Sequence, residues 1–247
     1  MPDILISTEG GSFGLGHLVR QLVLARELES RGAAVTFVHP AHETVGLEKL
    51  QRAGHLPIRE DSAWPEADAL IVDVEYYPGR ALFMDWRKRY PKIVLFGGAA
   101  YPQIEYHDLI DLEVYQGELF DYPEAPTALN GPKYLIVDPS YSVCQPNIDG
   151  HIVVSFGGRD PYNLTPLALR ALEGINRRVF CVVGPQFDDV NYPMLETVTR
   201  ITSPLSLVSY LDGAALCVCA TGMTAYESLC AGVPLVLGNI SEDHDRT

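Results

Sequence analysis

The chain has 247 residues, 47% of them hydrophobic, enough for one large α/β domain or two of ordinary size with real cores. Its 18 basic and 32 acidic residues give a formal net charge of −14 with no Lys/Arg cluster, so neither nucleic acid nor an anionic membrane surface is an expected partner. The N-terminus lacks the basic and apolar regions of a signal peptide, and no apolar run approaches the ~20 residues of a membrane span, so a cytoplasmic chain without an integral membrane segment is expected.

Along the chain, short apolar runs alternate with amphipathic stretches, the pattern of βαβ units. Residues 4–7 read as a strand, followed by a glycine-rich loop from Gly10 to Gly16. Leu18, Leu22, Ala25 and Leu28 then recur at helical spacing up to Gly32. Strands are expected at 35–38, at 69–72 closing on Asp73, and at 93–96 before Gly97-Gly98, with a helix at 80–90. From 99 to 134 proline, tyrosine and acidic residues blur the pattern, and 135–137 reads as a last strand. Pro139, Pro146, Asn147, Asp149 and Gly150 give the next stretch a linker composition.

A second series follows. It has a strand at 152–155, Gly157-Gly158, a helix at 166–172 with Thr165 or Asn163 as cap, and a strand at 179–183. A helix at 205–211, a strand at 216–220, a helix at 225–231 and a strand at 235–237 complete it. The fold class expected is α/β, with two Rossmann-like domains facing across a cleft. Residues 1–139 form the first domain, 140–150 a linker and 151–247 the second. The chain stops just after a buried strand, where a further covering helix is expected, so the C-terminal part reads as truncated. The five cysteines, Cys144, Cys181, Cys217, Cys219 and Cys230, form no C-x-x-C pair and are expected as buried reduced thiols.

Three glycine-bearing loops carry the candidate chemistry. The first is Gly10-Gly11-Ser12-Phe13-Gly14-Leu15-Gly16-His17. Its glycines let backbone approach a ligand, and the next helix offers unpaired amides and a positive dipole end. Its spacing is not the dinucleotide G-x-G-x-x-G. His17 lies at that helix start, where a neutral imidazole can take a proton; local packing is the competing reading. The second loop has Gly157 and Gly158 for a diphosphate, with Asp160, Asn163 and Thr165 equally suited to turn and cap roles. The third contains Gly222, Met223 and Thr224, whose amides suit a phosphate, and Glu227, suited either to ribose hydroxyls or to a capping box with Thr224. Asp73-Val74-Glu75 has the form of a D-x-D metal site, but a strand end is the better reading, and no metal or organic cofactor is expected.

Taken in order, Gly14-Leu15-Gly16-His17-Leu18-Val19-Arg20, Gly157 through Thr165 and Gly222 through Pro234 resemble a known group. It is the GT-B-fold nucleotide-sugar enzymes that include the UDP-sugar hydrolase of pseudaminic acid biosynthesis and spore-coat polysaccharide glycosyltransferases. The lipid II N-acetylglucosaminyltransferase is similar in architecture. The resemblance implies a UDP-sugar substrate held by the C-terminal domain, with Gly157, Gly158, Met223 and Thr224 on the diphosphate and Glu227 on the ribose. It implies His17 as the base that activates water or an acceptor, so that the bond between sugar C1 and phosphate oxygen breaks without a tightly bound metal. Gly14, Gly16, Arg20, Asp73, Asp160, Asn163 and Gly222 fall in the same implied substrate site. Asp73 matches a family aspartate, and Tyr76 or Tyr77 a nearby tyrosine. Two stretches depart from the pattern. Gly97-Gly98-Ala99-Ala100 stands where family hydrolases carry an aspartate pair, and Val114-Tyr115-Gln116-Gly117 where they carry asparagines.

The function expected is therefore transfer or hydrolysis of a UDP-sugar in surface-polysaccharide or nonulosonic-acid-type sugar metabolism. A non-catalytic nucleotide-sugar binder and a dinucleotide-dependent oxidoreductase are the alternatives. The sequence leaves the oligomeric state open.

Overall fold

The alternation of apolar runs and amphipathic stretches folds into two parallel sheets, each in its own compact unit; the first unit ends at Ile136 and the second begins at Val137. The structure is a computed structural model and describes residues 1–10, 14–74, 78–97, 107–116, 127–187 and 196–238.

The first unit runs β1 (Asp3–Thr8), α1 (Gly16–Ser30), β2 (Ala34–His39), α2 (Thr44–Arg52), β3 (Ile58–Arg59) and β4 (Ala69–Asp73). It continues with α3 (Arg80–Arg89), β5 (Lys92–Phe96), β6 (Leu112–Tyr115) and β7 (Ala128–Asn130). The sheet order is β3-β2-β1-β4-β5-β6-β7, every pair parallel. The second unit runs β8 (His151–Ser155), α4 (Leu164–Ala171), β9 (Val179–Val183), β10 (Val198–Thr202) and α5 (Val208–Leu211). It ends with β11 (Ala214–Ala220), α6 (Met223–Cys230) and β12 (Leu235–Gly238), in the order β10-β9-β8-β11-β12, again parallel.

A sheet covered on both faces needs strands that are apolar on both sides, which is why these strands read as continuous apolar runs. Successive residues point to opposite faces, so Leu5 joins the cluster around Phe83, Trp86 and Tyr90 while Ile6 joins the one around Leu18, Leu22 and Phe37. Val153 and Val154 divide between two clusters in the second unit in the same way. Each such side chain contributes about 1.5–3 kcal/mol by leaving water.

Several expectations change. Residues 135–137 form no strand; Pro132–Tyr134 is a 3₁₀ turn, and β6 and β7 extend the sheet instead. Both strands are too short to carry a legible pattern. The stretch expected as a linker contains a 3₁₀ turn over Pro139–Val143, and Tyr141 and Cys144 are buried in the second unit's core. The helix expected at 166–172 begins at Leu164, and the one expected at 205–211 shrinks to α5. Cys144, Cys181, Cys217 and Cys219 are buried, but Cys230 at the end of α6 is exposed. Among the described residues no helix is long and apolar enough to cross a membrane.

Candidate active site

In each sheet the chain starts in the middle, builds outward to one side, then crosses to the other. The first sheet reverses between β1 and β4, the second between β8 and β11. At such a reversal the loops leaving neighbouring strands part company, and the crevice outside the carboxyl ends of the strands is the usual ligand position of open α/β sheets. The loop leading to His17 leaves β1, and Asp73 ends β4; Thr8 and Asp73 are register partners. Gly157 and Gly158 leave β8, and Gly222 to Thr224 leave β11. All three glycine loops singled out in the sequence therefore sit at reversal points.

In the first unit three side chains converge on one carboxylate. Asp73 is fully buried. Its Oδ1 accepts from His17 Nδ1 at 2.8 Å and from Arg20 Nη2; its Oδ2 accepts from Arg20 Nε at 2.6 Å and from Gln21 Nε2 at 2.7 Å. His17, Arg20 and Gln21 project from the first two turns of α1, the spacing that brings one helix face over one partner. Burial alone would raise the Asp73 carboxyl, but the Arg20 and His17 charges and hydrogen bonds outweigh it and hold it well below the usual carboxylate range. An ionised carboxylate only accepts, so His17 Nδ1 carries the proton that faces it. The 3.5 Å approach of Arg20 Nη2 to Nδ1 is then donor to donor, a proximity of charge and not a bond. The His17 side chain is 24% exposed, so the pair offers a solvent-accessible imidazole on a buried, anionic support.

Two expected substrate residues thus have partners within the protein. Asp73 has both oxygens engaged, and Arg20, 15% exposed, forks onto it. The D-x-D reading loses its first carboxylate to these partners; Glu75, Tyr76 and Tyr77 lie outside the described residues. Among the described residues no group of three or more His, Cys, Asp or Glu is placed to hold a metal. Gly16 is the first residue of α1, and its N-cap, Leu15, makes no side-chain cap bond. Gly14 has φ +116°, a backbone state that suits glycine.

In the second unit the two loops differ. Gly157 has φ +85°. Its loop packs on Gly184, where an added Cβ would lie 2.4 Å from the carbonyl oxygens of Gly157 and Gly158. Asn163 occupies the N-cap position of α4 in a left-handed conformation, yet its side chain caps nothing. Asp160 does the capping, accepting from Leu164 N at 2.9 Å and Thr165 N at 2.7 Å. The N-cap of α6 is Gly222, which has no side chain with which to cap the helix. The helix begins at Met223, so Thr224 is already inside it and no capping box with Glu227 forms. Glu227 is buried beside the Tyr141 hydroxyl. Burial first, then the Glu227 charge, pushes that phenol above its ordinary range.

Three supporting residues escaped the sequence reading. Gln21 sits on the same helix face as His17, and spacing alone had a signal for it. Tyr141 lies in the supposed linker; its hydroxyl accepts from Leu207 N at 3.1 Å. Glu43 accepts from Gly10 N at 2.8 Å, anchoring the start of the first glycine loop from a loop 33 residues away, which no local pattern encodes.

No family model matches the chain. It is 26% identical over 265 aligned positions to the spore coat polysaccharide biosynthesis protein SpsG of Bacillus subtilis strain 168, covering 95% of this chain and 77% of that protein. It is 25% identical to an uncharacterized protein of Methanocaldococcus jannaschii, covering 95% of this chain but 55% of that one, about half its length. Among solved structures, spinosyn rhamnosyltransferase SpnG complexed with thymidine diphosphate aligns with a TM-score of 0.64 at 13% identity, over 99% of this chain and 82% of that one. The fold is that of the GT-B glycosyltransferases.

Proposed function

We propose that the chain is a nucleotide-sugar enzyme of the glycosyltransferase type, with UDP as the nucleotide and His17 as general base. One observation carries the reading: the imidazole–carboxylate pair and the glycine-led start of α6 each stand at the strand-order reversal of its own sheet. In the second unit, amides of Gly157, Gly158, Met223 and Thr224 take the diphosphate, as partial positive charge at a helix start favours an anion. Glu227 takes ribose hydroxyls. Asp160 and Asn163 act by shaping the loop, Asp160 as helix cap.

In the first unit, Asp73 holds the ring and Nε2 of His17 removes the proton from an acceptor hydroxyl or from water as the oxygen attacks sugar C1. The C1–O bond to phosphate breaks, and the bonding pair leaves with the nucleotide diphosphate, whose charge the helix-start amides stabilise. With water the reaction is hydrolysis; with a hydroxyl acceptor it is transfer. The similarity to a spore coat polysaccharide biosynthesis protein and the fold of a glycosyltransferase seen with thymidine diphosphate support this reading.

Calorimetry and product analysis with UDP-sugars test it, with and without sugar acceptors. His17→Ala is expected to keep UDP affinity while losing about 10²–10⁴-fold in turnover. Glu227→Ala is expected to weaken UDP by about 1–3 kcal/mol. Absence of binding heat with any uridine diphosphate compound overturns the proposal.

A further inference from the structure

A buried carboxylate beside an imidazole has two effects at once. It orients the ring, and it favours the protonated form, which is useless as a base. Among the described residues, Asp73 from the end of β4 and Arg20 from the next turn of α1 are charged groups set against His17, with the Gln21 amide as a neutral member. Arg20 lays its fork on both oxygens of the carboxylate and brings Nη2 within 3.5 Å of the imidazole nitrogen that faces them. A guanidinium keeps its charge throughout the working pH range. The carboxylate and guanidinium charges therefore cancel, and a proton added to His17 gives these three groups a net positive charge.

We infer that Arg20 is a positioning residue that separates orientation from charge: it neutralises Asp73, so that the carboxylate fixes the His17 ring without holding it protonated. This rests on the reading of His17 as a base. It replaces the expectation that Arg20 binds substrate, because the guanidinium is committed to Asp73. A lysine at the position would supply the charge without the fork, and so restore only part of the effect.

Imidazole titration by nuclear magnetic resonance in the ligand-free, full-length chain tests the inference without needing activity. The chain has seven histidines, and His17 is identified as the signal lost in His17→Gln. Arg20→Gln is expected to raise the His17 midpoint by about one pH unit or more, and Arg20→Lys by less. The acid limb of the pH–rate profile should move by the same amount. An unchanged midpoint in Arg20→Gln overturns the inference. Should that variant not fold, Asp73→Asn supplies the opposite arm, because it leaves Arg20 facing the ring alone. The midpoint should then fall, and a midpoint that stays or rises overturns the inference. The two readings fail separately. A shifted midpoint without uridine nucleotide binding sinks only the proposed function; normal binding with an unmoved midpoint sinks only the role of Arg20.

Discussion

Asp73 accepts from three side chains of one helix face while fully buried, and this concentrates much of the first unit's electrostatics in one group. Removing one partner of a buried charge pair leaves the other uncompensated, so Asp73→Asn is expected to cost about 3–5 kcal/mol at neutral pH. The sign with pH follows from the lowered carboxyl. A carboxyl lowered in the folded chain adds stability that is complete above its unfolded value of about 3.9 and is lost as pH falls through the folded value. The gap between parent and Asp73→Asn should therefore narrow from pH 7 to about pH 3, measured by urea denaturation at both. A gap that widens in acid contradicts the ionised, paired carboxylate.

Helix starts are where the elements differ. α4 and α6 both follow a parallel strand at the second sheet's reversal, yet the Asp160 side chain occupies first-turn amides of α4 while the N-cap of α6 is Gly222, which has no side chain to offer. Asp160→Ala is expected to lower stability by about 1 kcal/mol through loss of the cap, with UDP affinity unchanged. Thermal denaturation and calorimetry on the same variant separate the roles, since a drop in affinity without a drop in stability would make Asp160 a ligand. The glycine loops are also held from outside their own helices. An added Cβ at Gly46 would meet His39 Nε2 at 2.2 Å and the Gly10 carbonyl at 2.6 Å, so the loop after β1 leans on α2.

On the scale of the whole molecule, two sheets with separate cores make two units that need not unfold together. Scanning calorimetry should resolve two transitions. Saturating UDP should raise only that of the second unit, by RT ln(1 + [L]/Kd), which is about 2.7 kcal/mol at a hundredfold excess over Kd. A nucleotide that moves the first unit's transition instead would reverse the proposed division of labour.

The strands at the centre of both sheets, the glycine loops and the position of His17 were legible because they depend on local regularities: apolar runs, helical spacing and glycine punctuation. The edge strands β3, β7 and β10 were not, since short, half-exposed strands have no face that must be apolar. The partnership of His17, Arg20 and Gln21 with Asp73 joins residues more than 50 positions apart. So does that of Tyr141 with the chain around Leu207. Only parallel pairing of β1 with β4 brings α1 over Asp73, and only packing around β11 draws the supposed linker into a core. Sequence by itself determined which residue types stand after which strands. Tertiary structure decided which of them meet, because the reversals of strand order that place ends side by side are set by nonlocal pairing.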